Sequence, residues 1–208
     1  MAATAAEEWN DEDGTFFIMK ARAAIEEFGR NKLRPSVADV PPKYLVKRGV
    51  FVTLRNSSSK ELLGCIGRPY PSASLMDNLI DSAIDAAFFD PRFPPLDVRK
   101  LDRTAVEVSI LTLPKEIKVK TPLDYRGQVK VGRDGIIVEW AGGGGLLLPQ
   151  VPVEEKWGID EYLSYGCMKA GAQPDLWLSG KIKLFTFQAS VFEEKAPNGP
   201  VVRFGLES

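Results

Sequence analysis

Apolar residues along this chain fall first at helical spacing and then in alternation. Phe17, Ala21, Ile25 and Phe28 recur at steps of three and four, which predicts a helix from about Thr15 to Phe28 with Gly29 as its stop. Residues 1–13, alanine-rich and then acidic, are expected to form a flexible tail. Past a proline-bearing loop, Gly49 to Arg55 has strand composition, Asn56 to Lys60 is a turn, and Glu61 to Gly67 returns, so a β-hairpin is expected. A second helix should start after Ser74, which stands three residues before Asp77 at capping-box spacing. Leu75, Leu79, Ala83 and Ala87 form its apolar face, and it runs into the proline-locked segment Asp90–Leu96. A short helical turn is expected near Asp97–Leu101.

Val106 to Ile110 alternates as a half-buried strand does, and Glu116–Val119 and Val129–Gly132 read as two more. Asp134-Gly135 is expected to turn a hairpin between Val131 and Ile136, because that dipeptide accepts the positive φ angles of a tight turn. Ile136–Trp140 follows, then four glycines at 142–145, read as a flexible loop, then Leu146 to Pro149. A final helix is expected over Asp160–Ala170 with Gly171 as its cap, and a last strand over Lys181–Phe192. Strands follow strands without regular βαβ alternation. That order predicts an α+β fold, mainly antiparallel sheet with flanking helices. No repeat or clean linker divides residues 14–208, so they are expected to form a single domain.

Composition narrows the chemistry. Of 208 residues, 44 % are hydrophobic and 26 % charged, which is ordinary for a globular protein. The net charge of −1 gives no global field for nucleic acid or an anionic membrane, and Lys115, Lys118 and Lys120 read as a solvated strand face. There is no signal-like segment and no run of the roughly 20 apolar residues that a membrane span needs. With only two cysteines, a reducing cytoplasm is the expected compartment. The chain has no histidine, which excludes Ser-His-Asp triads, Cys-His dyads and His-bearing zinc sites, and Cys65 and Cys167 alone cannot make a four-cysteine site. Neither a metal nor a cofactor is expected. A general base would have to be Asp, Glu, Lys, Tyr or a substrate group.

The candidate site starts at Gly64-Cys65-Ile66-Gly67, an apolar run whose glycines mark either close packing or the approach of a ligand to the backbone. In a regular strand Leu63, Cys65 and Gly67 share one face, and Arg68 lies on the other. Asp90 and Arg92 flank Pro91, as a polar pair able to supply a proton-transfer group and an anion clamp, or as a helix-ending turn with its own salt bridge. Glu107 is a solvated strand residue or a site carboxylate. Arg133, near the expected hairpin tip, and Gln150, after Pro149, are secondary candidates for polar contacts. The glycine run 142–145 is no phosphate loop, since it lacks a Lys-Ser/Thr ending and leads into an apolar strand.

These blocks together resemble the AMMECR family. Gly49–Leu54, Leu62–Gly67, Asp90–Pro95, Val106–Leu111, Gly132–Val138, Leu146–Val153 and Cys167–Gly171 match its blocks in order, over roughly residues 16 to 192. The resemblance implies an α+β fold of two unequal lobes with a cleft between them, and a functional link to Memo-like proteins and radical-SAM enzymes. The family's hallmark is Leu-Arg-Gly-Cys-Ile-Gly, and here Leu63 holds the arginine position. A cation beside Cys65 would raise its thiolate fraction. Without one, Cys65 reads as part of a site wall, and Cys167 as buried packing. Two functions follow as expectations. One is an accessory or binding module for a small molecule or a partner protein, such as a Memo-like or radical-SAM protein. The alternative is an enzyme acting on an anionic or nucleotide-like substrate, with Asp90 or Glu107 as acid–base and Arg92 or Arg133 holding the anion.

Overall fold

A computed structural model describes residues 9–203. Its elements in chain order are α1 (Asp11–Asn31), β1 (Gly49–Asn56), β2 (Leu62–Arg68), α2 (Leu75–Phe88), β3 (Thr104–Leu111), β4 (Lys115–Ile117), α3 (Tyr125–Gln128), β5 (Gly135–Trp140), β6 (Gly143–Leu147), α4 (Val151–Glu154), α5 (Ile159–Lys169), β7 (Lys183–Phe187), β8 (Ala189–Glu194) and β9 (Val201–Arg203). The protein is α+β, with two antiparallel sheets and flanking helices. It divides into two compact units. One takes the chain up to Leu113 and then Ser190 through β9; the other takes Pro114–Ala189 and is thus inserted in the first.

The first unit is built on a five-stranded sheet of order β2-β1-β3-β8-β9. Alternation along β1 and β3 places Val50, Val52 and Leu54 opposite Ile110, Val108 and Val106, all buried. Against this face pack α1, through Phe17, Ala21 and Ile25, and α2, through Leu75, Leu79 and Ala83. Burying one such side chain stabilises the fold by about 1.5–3 kcal/mol, so this apolar layer dominates the unit's stability. The Ser74 side chain accepts the N–H of Asp77 and caps α2 at the position expected from sequence.

At one end of the sheet, side chains replace the backbone ladder. The Glu194 carboxylate accepts the Val106 N–H at 3.0 Å, and the Arg22 guanidinium donates to the carbonyls of Thr104 at 3.0 Å and Leu101 at 2.7 Å. Arg22 and Glu194 pair at 2.8 Å, with side chains 10 % and 1 % exposed. The Asn198 N–H also donates to Glu194, which ties in the turn between β8 and β9.

The second unit carries a four-stranded sheet of order β4-β7-β5-β6. Its core joins Ile136, Val138 and Leu184 to Tyr162, Leu163 and Cys167 on α5. The buried Tyr162 hydroxyl donates to the carbonyls of Asp134 and Leu147.

Several sequence expectations need correction. Helix α1 begins earlier than Thr15: Asn10 and Asp13 form a capping box and Trp9 is buried, so residues 9–13 are not tail, while residues 1–8 lie outside the described ones. Gly29 does not stop α1. A Cβ there would meet Val98, so the glycine admits a close neighbour, and the helix ends at Lys32 in the left-handed region (φ 59°). Val129–Gly132 is not a strand and Asp134-Gly135 turns no hairpin; Gly135 opens β5, under the ring of Phe187. The glycines read as a flexible loop instead form most of β6, antiparallel to β5, and a Cβ on Gly145 would strike the α5 backbone at Lys169 and Ala170. Lys181–Phe192 is two strands, β7 and β8, in different sheets.

Candidate functional site

β2 is an edge strand, paired only with β1 among the described residues. Its two glycines have separate packing reasons. A Cβ on Gly64 would collide with the Ala86 carbonyl of α2, so Gly64 lets the helix lie on the strand. A Cβ on Gly67 would collide with the Phe51 ring, which crosses it from β1. Arg68, facing the helix side, donates to Ser82 Oγ at 3.2 Å and to Asp85 at 2.7 Å. A register shift at Leu54/Arg55 breaks the alternation expected for Leu63 and Cys65: Leu63 drops out of the pairing and packs against the first core. Position 63 therefore does not share the face of Cys65.

On that face, Thr53 stands between Cys65 and Glu107 in cross-strand register. The Thr53 hydroxyl donates to Cys65 Sγ at 3.3 Å. Burial pushes the Cys65 thiol pKa up; the Thr53 bond and the Arg92 charge pull it down, and the Glu107 and Asp90 charges add to the rise. The net shift is upward, so Cys65 is a neutral thiol at pH 7 and a poor nucleophile. Both cysteines are free thiols, and Cys167 is buried in the second unit as its sequence context predicts.

The backbone of Cys65 points out of the sheet edge and is captured by the segment after α2. Asp90 Oδ2 accepts the Cys65 N–H at 2.9 Å, and Arg92 Nη2 donates to the Cys65 carbonyl at 2.7 Å. The two side chains also form a fork: Arg92 Nε to Asp90 Oδ1 at 2.9 Å and Nη2 to Oδ2 at 2.7 Å, with the Arg92 N–H on Oδ1 at 3.1 Å. The Leu96 N–H on the Ala87 carbonyl anchors the segment to α2. Arg92, aided by the two backbone N–H groups, holds the Asp90 carboxyl far below the usual carboxylate range against the upward push of burial. Asp90 thus favours its anionic form, with both carboxylate oxygens accepting hydrogen bonds, an arrangement that suits holding Arg92 and Cys65 in place. Arg92 is fixed at one edge by these bonds, yet its side chain stays 56 % exposed where that of Asp90 is 2 %.

The structure thus brings Cys65, Asp90 and Arg92 into direct contact, with Glu107 one strand beyond Thr53, while Gly64 packs on α2. Arg133 and Gln150 belong to the second unit. Arg133 forks onto the buried carboxylate of Asp134, and Gln150 precedes α4 with its Oε1 buried and without a hydrogen-bond partner among the described residues. Sequence reasoning missed Thr53, whose role follows from hairpin register. It also missed Arg22, a charge on the buried face of α1 between Ile18 and Ile25, and that misfit was a readable signal. No cluster of three or more metal-ligating side chains occurs among the described residues, and none of their helices is long and apolar enough to cross a membrane.

The chain matches a known family over most of its length. The AMMECR1 family model covers residues 18–192, and the chain belongs to that family. It is 47 % identical over 191 residues to protein MJ0810 of Methanocaldococcus jannaschii, covering 92 % of this chain and 94 % of that protein. A protein of Thermococcus gammatolerans is 48 % identical over 197 residues, covering 93 % and 96 %. The crystal structure of uncharacterized protein PH0010 from Pyrococcus horikoshii has the same fold, with a TM-score of 0.90 at 44 % identity, covering 95 % of this chain and 98 % of that one.

Proposed function

We propose that this chain is an accessory binding module of the cytoplasm that recognises an anionic group, on a small molecule or a partner protein, at the Arg92 corner of β2. One observation carries the reading: Arg92 is held rigid by Asp90 and the Cys65 carbonyl while more than half of its side chain faces solvent. A guanidinium immobilised before binding loses little rotamer freedom when an anion docks. The neighbouring groups support recognition over turnover, because Asp90 is locked as an anion and Cys65 as a thiol. In this reading the partners are proteins of a Memo-like and radical-SAM pathway, or a metabolite of that pathway.

The test is a thermal-shift screen of a metabolite library on the whole chain, with Arg92→Ala as its control, alongside a pull-down with candidate Memo-like and radical-SAM proteins. A stabilising ligand or stoichiometric partner that is lost in Arg92→Ala is the expected result. Binding that persists undiminished in that variant overturns the assignment.

A further inference from the structure

The Arg92 guanidinium has few hydrogens left to give. All its N–H bonds lie in one plane. Nε donates to Asp90 Oδ1, and the two hydrogens of Nη2 go to Asp90 Oδ2 and to the Cys65 carbonyl. Nη1 alone makes no hydrogen bond among the described residues. An arginine grips two oxygens of a carboxylate or phosphate through parallel N–H bonds from two different nitrogens. With Nε and Nη2 committed, neither pair of nitrogens is available. An arriving anion is therefore held through one oxygen on Nη1.

Charge points away from phosphate. The buried Asp90 carboxylate is bonded to Arg92, so the pair carries no net charge. Of the charges that act on the Cys65 thiol beside them, those of Arg92, Asp90 and Glu107, only Arg92 is positive. A phosphate monoester would bring close to two negative charges to a corner whose cation is already neutralised, and a carboxylate brings only one. The surroundings are apolar and ringed. The Phe93 ring centroid lies 5.3 Å from the guanidinium carbon, and Phe93 is half-buried. Phe89 is exposed, as are Pro91, Pro94 and Pro95. A guanidinium over an aromatic ring makes a flat surface on which a conjugated ligand can stack, and stacking consumes no N–H.

We propose, resting on the reading of Arg92 as the recognition element, that its ligand is a carboxylate carried on a planar conjugated body, as in an aromatic acid. One carboxylate oxygen accepts from Nη1, and the body stacks against Arg92 and Phe93. No encoded side chain joins a carboxylate to a conjugated plane, so this ligand is a small molecule and not a partner protein.

Titration of the whole chain with benzoate, cyclohexanecarboxylate and phenyl phosphate, followed by the NMR shifts of the Cys65 and Arg92 amides, tests it. The first two nearly match in size and charge and differ in the plane; phenyl phosphate keeps the ring and raises the charge. Benzoate should bind roughly two- to fivefold tighter than cyclohexanecarboxylate, the effect of one stacking contact, and tighter than phenyl phosphate. Phe93→Leu, which keeps an apolar side chain, should erase the preference for benzoate and leave the affinity for cyclohexanecarboxylate unchanged. Arg92→Ala should abolish the binding of all three. Arg92-dependent binding in which either other probe equals benzoate, or a benzoate preference that survives Phe93→Leu, would overturn the inference while leaving the anion site standing. No Arg92-dependent binding of any probe would overturn the inference, and the metabolite screen and pull-down then decide the anion site separately.

Discussion

Twice in the first unit an arginine–carboxylate pair takes over the hydrogen bonds of a strand, and the two cases differ in what they leave over. Arg22 and Glu194 bond the Thr104 carbonyl and the Val106 N–H; Arg92 and Asp90 bond the carbonyl and N–H of Cys65. In both, the carboxylate accepts from the backbone and the guanidinium donates to it. The first pair is sealed, with side chains 10 % and 1 % exposed, while in the second the arginine is 56 % exposed. The same chemistry thus serves packing alone where it is closed over. In the function proposed above it serves recognition where the geometry leaves one side of the cation to solvent.

The comparison breaks most visibly at the buried pair. Arg22→Ala should cost about 3–5 kcal/mol in urea or thermal unfolding, because Glu194 is left as an uncompensated buried charge. A loss under 1 kcal/mol would mean that Glu194 finds water and that the pair is not sealed. Asp90→Asn should cost about 2 kcal/mol at pH 7, by removing a charged acceptor from the Cys65 N–H and from Arg92. Its pH dependence sharpens the point. The folded-state pKa of Asp90 lies below the unfolded value of about 3.9, so its contribution is complete above that pH and is lost as the pH falls below it. The stability gap between parent and Asp90→Asn should be flat from pH 7 to 5 and narrow below pH 4; a gap that widens there would contradict the assignment. Arg92→Ala leaves the buried Asp90 carboxylate with only its backbone N–H partners, so it should cost about 2 kcal/mol as well, between an exposed pair and a sealed one. Its larger effect should fall on binding, the reverse of Arg22→Ala.

Much of the scaffold was legible in the chain. Local signals sufficed for α2, where Ser74 and the Leu75–Ala87 stripe agree, and for the β1–β2 hairpin, where strand composition brackets a polar turn. Glycine was the chief source of error. At Gly29, Gly135 and Gly145 the local sequence predicts a breaker, a turn residue and a flexible loop residue, while each admits a close neighbour that no local window contains. The Asp90–Arg92 salt bridge is local and legible from its spacing. Its grip on Cys65 was not legible, because it depends on β2 being an edge strand. The Arg22–Glu194 pair spans 172 residues, and only the topology brings it together. The bulge that turns Leu63 into the core breaks the strict alternation on which the sequence argument about Cys65 rested.

The insertion of the second unit has a consequence for biosynthesis. β3 leaves the ribosome with its partner edge open, because β8 is encoded only after the whole of Pro114–Ala189. At about 5–20 residues per second, the 172 residues between Arg22 and Glu194 correspond to a wait on the order of 10–30 s. Throughout that interval the guanidinium that will be sealed in the finished protein stands without its carboxylate, and from the completion of β3 onward the sheet available to α1 and α2 still lacks two strands. The inserted unit is synthesised complete within the same window, so the first half of the molecule to begin translation is the last to finish folding.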